Sequence, residues 1–291
     1  MSKLAPPQQT IPIGTRTGSS WNPWMGCHKL NPNSQLGDSG CTFCYMYREV
    51  RAKQRMHRDW NPNVVRRCKT TWTKPLRWGM NRRQMIFSCS WSDFFINEAD
   101  PWRAEAWDVI RRTPWHVYRI CTKRPERIRP PGGPSLLPPD WDASWNTTWR
   151  HVWLGCTVEH QNHVKRMDYI RSIPCAFRWV SAEPLLSELD LNLKGFGFLV
   201  DGGESGGRDE DGNWEKIRPA NLDWFRSLRD QCQAAGVLYC HKQHGGTKKC
   251  SKAMHAQLFG RRPFPTHLRA WGCRVLDGRL HDDFPPMPPY P

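Results

Sequence analysis

Short apolar runs recur along the chain, each ending in polar residues before a longer stretch begins. Met85-Ile-Phe-Ser-Cys-Ser-Trp-Ser92 leads into Asp93, His116-Val-Tyr-Arg-Ile-Cys121 into Thr122, Lys123 and Arg124, and Val152-Trp-Leu-Gly-Cys-Thr-Val158 into Glu159. Phe177-Arg-Trp-Val-Ser181 leads into Glu183, Gly197-Phe-Leu-Val200 into Asp201, Gly202, Gly203 and Glu204, and Val237-Leu-Tyr-Cys240 into Lys242 and Gln243. Runs of this length, rich in β-branched and aromatic residues, read as strands. Helix candidates lie between them. Pro101 to Arg112 has Asp100 as N-cap and Pro101 at the first helical position. A polar stretch follows Glu159 through Ile170, and in Pro219 to Ala235 the residues Leu222, Phe225, Leu228 and Cys232 share one face, with Gly236 at the C′ position. Strand–helix–strand alternation means parallel strands with helical crossovers. Polar residues at successive strand ends favour a barrel, whose active site gathers on that rim, over a doubly wound sheet. The expected fold class is therefore α/β, a partial (β/α) barrel of about six or seven parallel strands.

Residues 129–149 and 205–216 are too rich in breakers or in Gly and acid for regular elements and read as surface insertions. Phe284-Pro-Pro-Met-Pro-Pro-Tyr-Pro291 is a proline tail, extended or disordered. No repeat is present. The expected organisation is an extended or disordered segment over 1–13, the barrel over 14–250 and a C-terminal extension over 251–291.

Composition narrows the class. A mean hydropathy of −0.73 and the lack of a long apolar stretch exclude a membrane helix. The N-terminus has no apolar run or cleavage site of a secretory signal, which predicts a cytoplasmic protein whose 12 cysteines are thiols or metal ligands. Seventeen Trp and 11 Phe are too many for a disordered chain.

Three of the cysteines stand out. Cys27 is followed after thirteen residues by Cys41-Thr-Phe-Cys44, a C-x13-C-x2-C pattern. The C-x2-C pair puts two thiols on one turn, and the long polar loop can return Cys27 to them. Three ligands suit a 4Fe–4S cluster with one free iron, since a structural zinc takes four protein ligands. The alternatives are a zinc site completed by His28, His57 or Cys68, and cysteines that only fill space.

Cys41-Thr-Phe-Cys44 resembles the second half of the radical S-adenosylmethionine signature, C-x3-C-x-aromatic-C, with Phe43 in the aromatic place. The chain as a whole resembles a family of phage and bacterial proteins of unassigned function that carry a three-cysteine motif and are regarded as radical S-adenosylmethionine-like. The matching residues are Trp21-Asn-Pro-Trp-Met-Gly-Cys27, Gly40-Cys-Thr-Phe-Cys-Tyr45, Ser90-Trp-Ser-Asp-Phe-Phe95, Thr122-Lys-Arg-Pro-Glu-Arg127, Ser181-Ala-Glu-Pro-Leu-Leu186, Gly202-Gly-Glu-Ser-Gly206 and Leu276-Asp-Gly-Arg279. They run in order from about position 14 to 286, and the chain departs from the family in a longer insertion, Leu30 to Ser39. The resemblance implies a cluster on Cys27, Cys41 and Cys44 and S-adenosylmethionine as second cofactor.

In such a site Asp93 or Glu204 takes the ammonium, Lys123 or Arg124 the carboxylate, and Glu159, Ser181 or Glu183 the ribose. Gly197-Phe-Leu-Val-Asp-Gly-Gly-Glu204 resembles the G-x-I-x-G-x-x-E strand that supports adenine in radical S-adenosylmethionine barrels, with Asp201 for the middle glycine. The alternative is that these rim charges pair with one another. His241 and His244 read as ordinary polar contacts rather than a metal pair.

Charge adds a partner. Lys and Arg number 43 against 27 Asp and Glu, a balance of +16. Tyr45 to Arg58 reads as a helix on which Arg48, Arg51, Arg55 and Arg58 form a basic stripe, with further cations at Arg66, Arg67, Lys69, Arg82, Arg83, Lys248, Lys249, Lys252, Arg261 and Arg262. The expected function is an iron–sulfur enzyme generating a 5′-deoxyadenosyl radical that modifies or repairs nucleic acid, DNA or RNA, or a nucleotide-like substrate; a partner protein encoded nearby is a further possibility. Its rivals are a zinc-stabilised nucleic-acid-binding protein without catalysis and a radical enzyme acting on a small metabolite.

Overall fold

The structure is a computed structural model and describes residues 18–31, 35, 37–47, 61–206, 217–246 and 274–289. Its centre is one sheet of seven strands: β1 (Gly18–Trp21), β2 (Met85–Ser88), β3 (Val117–Thr122), β4 (Val152–Thr157), β5 (Phe177–Ala182), β6 (Phe198–Asp201) and β7 (Leu238–His241). Neighbours in the sheet are neighbours in the chain and every pair is parallel. A doubly wound sheet reverses its order at a switch point; this one never does, and it curls into a half-barrel. The curl is visible in what lines its hollow: Ser20, Phe87, Cys121, Thr157, Ser181, Val200 and Lys242, one from each strand or its C-terminal end, border a single cavity. Six strands were legible as apolar runs. The seventh, Gly18-Ser-Ser-Trp21, carries no such run and is made a strand by its register on β2.

Side chains alternate across the strands. Ile86, Tyr118, Ile120, Leu154, Val180 and Leu199 point outward into the main core, which is covered by helices α1 (Asp100–Arg111), α2 (Arg166–Arg171) and α3 (Leu222–Ala235). Their strand neighbours Met85, Val117, Trp153, Trp179, Phe198 and Cys240 point inward and form a second cluster. Residues 274–289 return to the barrel. Phe284 and Met287 pack on the inner cluster, with the Phe284 ring 4.8 Å from that of Phe198, and the tail backbone at Pro288 accepts a hydrogen bond from Arg83 Nη2.

Several local expectations change. Ala99, not Asp100, stands at the cap of α1; the Asp100 carboxylate instead pairs with Arg103 and Arg127, two cations that outcompete a cap. Helix α3 begins at Leu222, with the Asn221 side chain accepting from Asp223 N, and Leu222 itself is exposed because the first turn overhangs the core. Gly236 ends the helix at φ +65°, where a Cβ would be strained. Residues 129–149 are not a surface insertion: prolines limit them to one helical turn, Trp141–Ser144, yet Leu137, Trp141 and Trp149 are buried and pack around Trp107 with ring centroids 5.7–5.8 Å apart. These tryptophans cover the sheet where a crossover helix otherwise lies. Residues 183–197 do the same with Leu185, Leu189, Leu191, Leu193 and Phe196. Residues 1–13, 207–216 and 251–273 lie outside the described residues. No helix among the described residues is long and apolar enough to cross a membrane.

Candidate functional site

The connection from β1 to β2 carries the three cysteines over the C-terminal rim of the half-barrel. Both glycines that precede a cysteine are required there. Gly26 sits at φ +96°, with Val64 O 2.2 Å from where a Cβ would stand, and a Cβ on Gly40 would meet Pro184 at 2.9 Å. Tyr47 donates its hydroxyl proton to Cys27 O, Lys29 Nζ donates to Thr42 O at 2.8 Å, and Ser92 Oγ donates to Gly26 O at 2.6 Å, so the loop is tied to itself and to the end of β2.

Beneath it lies a cavity of about 360 Å³. Cys27, Cys41 and Cys44 all line it, and they are close enough for a charge on one to raise the proton affinity of another. Burial pushes the Cys27 thiol up to about 12; the Arg124 guanidinium, with Nη1 3.9 Å from Cys27 Sγ, acts against this. Burial also raises Cys44, opposed in part by the Met46 backbone amide and by Lys123 and Lys29. The cations favour the thiolate that a bound metal would need, but burial prevails and keeps both thiols protonated at neutral pH. Among the described residues no group of three or more His, Cys, Asp or Glu is arranged to hold a metal ion. Two candidates for a fourth zinc ligand are engaged elsewhere: His28 Nε2 meets Glu98 Oε1 at 2.7 Å, and buried Cys68 does not line the cavity. His57 lies outside the described residues.

Of the seven rim residues expected to hold a cofactor, Asp93, Lys123, Arg124, Ser181 and Glu183 line the cavity; Glu159 and Glu204 do not. Three of the carboxylates turn out to hold the cysteine loop itself. Asp93, buried after β2, accepts from Thr122 Oγ1 at 2.7 Å, Phe95 N at 2.9 Å, Lys123 N at 3.0 Å and Arg124 Nη1 at 3.2 Å. Arg124, fixed in this way, donates through Nη2 to His28 O at 2.6 Å. Glu159, at the end of β4, accepts from Gly40 N at 3.3 Å and is surrounded by Lys123, Arg166 and His163. Burial opposes its charge, but Lys123, the His163 hydrogen bond and Arg166 prevail and hold its carboxyl well below the usual carboxylate range. Burial likewise opposes the charge on Lys123, and Glu159 and Cys41 keep it protonated.

Glu204, after β6, accepts from Arg218 N at 2.9 Å and Nε at 3.0 Å; Arg218 Nη1 in turn donates to Gly37 O at 2.7 Å and Ser39 O at 3.1 Å. Arg218 was not singled out from the sequence, and nothing in its local pattern marks it. Glu183 pairs with Lys242 across the mouth of the cavity, and Ser181 presents its hydroxyl beside them. His241 Nδ1 donates to Asp201 Oδ1 at 2.7 Å within the outer core, a polar contact as expected.

Arg48, Arg51, Arg55 and Arg58 lie outside the described residues, as do Lys248, Lys249, Lys252, Arg261 and Arg262. Among the other cations, Arg67 pairs with Glu105 over the Trp72 ring, and Arg83 is bonded to backbone carbonyls.

No curated protein and no solved structure matches the chain. One family does, described as "Protein of unknown function (DUF5131)", over residues 14–285, and on that extent the chain belongs to it.

Proposed function

We propose that the protein is a radical S-adenosylmethionine-like iron–sulfur enzyme whose reaction takes place in the half-barrel cavity, on nucleic acid or a nucleotide-like substrate. The observation that carries this reading is the donor set: three thiols on one loop face one cavity, whose carboxylates Asp93 and Glu183 are already paired with Arg124 and Lys242 and whose other thiols, Cys89 and Cys121, are kept neutral by burial. Three sulfurs suit a 4Fe–4S cluster with an open corner and leave a zinc shell incomplete. Cys27, Cys41 and Cys44 would hold the cluster, and Ser181, Glu183 and Lys123 would offer polar contacts to S-adenosylmethionine. A reduced cluster and S-adenosylmethionine held there would supply one electron and a carbon radical able to remove hydrogen from an unactivated position.

The chain's own contribution is position and exclusion of water. Asp93 with Arg124, Glu159, and Glu204 with Arg218 fix the loop at Gly37, Ser39, Gly40 and His28, so the three cysteines line the cavity, Cys41 buried and Cys27 and Cys44 half-buried. The net charge of +16 supports an anionic substrate.

The test is anaerobic reconstitution with iron and sulfide, followed by dithionite and S-adenosylmethionine. The expected result is about four irons per chain, little zinc, and 5′-deoxyadenosine as product, all lost in Cys27→Ala, Cys41→Ala and Cys44→Ala. Stoichiometric zinc with no iron uptake overturns the reading in favour of a zinc-stabilised binding protein.

A further inference from the structure

Arg119 is the third residue of β3 and points into the half-barrel, where it lines the cavity. It is only 3% exposed, yet Nε and Nη1 have no hydrogen-bond partner, and no carboxylate among the described residues forms an ion pair with it. The nearest acidic groups are weak or taken: the Cys121 and Cys240 thiols are held neutral by burial, and Glu183 is paired with Lys242. Burial pulls the guanidinium down to about 10, which leaves it cationic at neutral pH.

Aromatic rings flank the group. Phe87 lies 6.0 Å from the guanidinium carbon and Phe284 of the tail 5.2 Å. The inner cluster of Met85, Val117, Trp153 and Phe198, on which Phe284 and Met287 pack, fills the half-barrel on the side of Arg119 away from the cysteines. Thr122 ends β3 three positions beyond Arg119, which at about 3.3 Å per residue puts the Arg119 backbone about 10 Å below the rim. The other cations bordering the cavity are occupied: Arg124 by Asp93 and His28 O, Lys123 by Glu159, Lys242 by Glu183. A buried, unpaired guanidinium at the closed end of a cavity is costly to keep and is a fork shaped for a planar or tetrahedral oxyanion.

We propose that Arg119 seats the terminal oxyanion, a carboxylate or phosphate, of a nucleotide-sized or smaller substrate that reaches from the cavity floor up to the three cysteines. An internal phosphodiester is flanked by chain on both sides and does not fit a closed end; a terminal group does. This assigns the substrate class within the proposed active site and rests on that cavity being where reaction occurs. Binding at Arg119 itself needs no metal, so the two readings fail separately.

The experiment is calorimetric titration of the purified full-length chain with inorganic phosphate, with acetate and with S-adenosylmethionine. In the wild type, phosphate or acetate binds saturably, and the tighter of the two identifies the substrate's anionic group. Arg119→Met weakens that binding by about tenfold or more, as loss of a charge-assisted pair implies, and melts at or above the wild-type temperature because a lone buried charge is gone. Arg119→Lys, which keeps the charge and loses the fork, also binds more weakly. Absence of saturable anion binding in the wild type, or unchanged affinity in either variant, overturns the proposal. So does a result in which only S-adenosylmethionine binds and Arg119→Met abolishes it, since the seat then belongs to that cofactor's carboxylate. A protein that binds phosphate at Arg119 but takes up no iron keeps the seat and loses the radical reading.

Discussion

Two arginines of this protein are equally buried, each 3% exposed, on opposite sides of the same sheet. Arg103, in α1 on the outer side, is fully used: Nε donates to Phe94 O at 3.0 Å, Nη2 to Ile96 O at 2.6 Å, and Nη1 to the Asp100 carboxylate. Arg119, on the inner side, lines the cavity, and two of its buried donors, Nε and Nη1, have no partner. A guanidinium of the first kind joins the loop after β2 to its helix and acts as part of the scaffold. The second kind touches the fold only through the Phe87 and Phe284 rings and leaves two buried donors unpaired at the fold's expense, which is how binding sites differ from cores. The same contrast holds for the sheet as a whole. Its outer face is sealed by helices and tryptophans, while its inner face carries thiols, hydroxyls and charges around an open volume.

Substitutions on the two faces should therefore separate stability from binding. The largest effect is expected for Trp141→Ala, which empties the ring cluster of Trp107, Trp141 and Trp149: about 3–5 kcal/mol lost in urea denaturation, with iron uptake per folded chain unchanged. A loss below about 1 kcal/mol would mean that residues 129–149 are a dispensable cover. Next comes Arg103→Met, which strands two buried carbonyls and should lower stability by about 3 kcal/mol. Set beside Arg119→Met, which should lose nothing, it is the sharpest form of the comparison, and equal losses in the two would erase it.

A smaller effect, about 1–3 kcal/mol, is expected for Arg218→Ala, which leaves the Glu204 carboxylate short of its partner. Its main signature should be local: faster alkylation of Cys41 and Cys44 as the Gly37 and Ser39 carbonyls are released. Unchanged alkylation rates would mean that the loop is held without this clamp.

The smallest is a pH effect of the outer core. Burial holds His151 down to about 4, against an ordinary value of about 6.5. Between these values the unfolded chain binds a proton that the folded chain refuses, so His151 makes stability fall as pH drops from about 6.5 to 4 and contributes fully above 6.5. Urea midpoints at pH 5 and 7.5 should differ less in His151→Gln than in the wild type; an equal difference would assign the slope to the other histidines.

Much of this architecture was legible in the residues. Short apolar runs with polar ends marked six of the seven strands, and Gly236 and the apolar stripe of α3 marked that helix to within three residues. The three cysteines were legible because their spacing is unusual. Less legible was anything that depends on a partner far along the chain. The tryptophans of 129–149 were hidden by the prolines around them. Glu159 and Glu204 had the right position for a cofactor contact but meet Gly40 and Arg218, 119 and 14 residues away.

By itself the sequence determined six of the strands, the parallel crossovers between them and the placing of three cysteines on one loop, because short apolar runs and residue spacing are enough for these. Only the tertiary structure decided which rim carboxylates would clamp the loop, which would face the cavity, and that Arg119 would stand there with Nε and Nη1 unpaired. The reason is physical: a charged group takes whichever opposite charge the fold brings within about 3 Å, and that distance is set by the curl and register of the sheet.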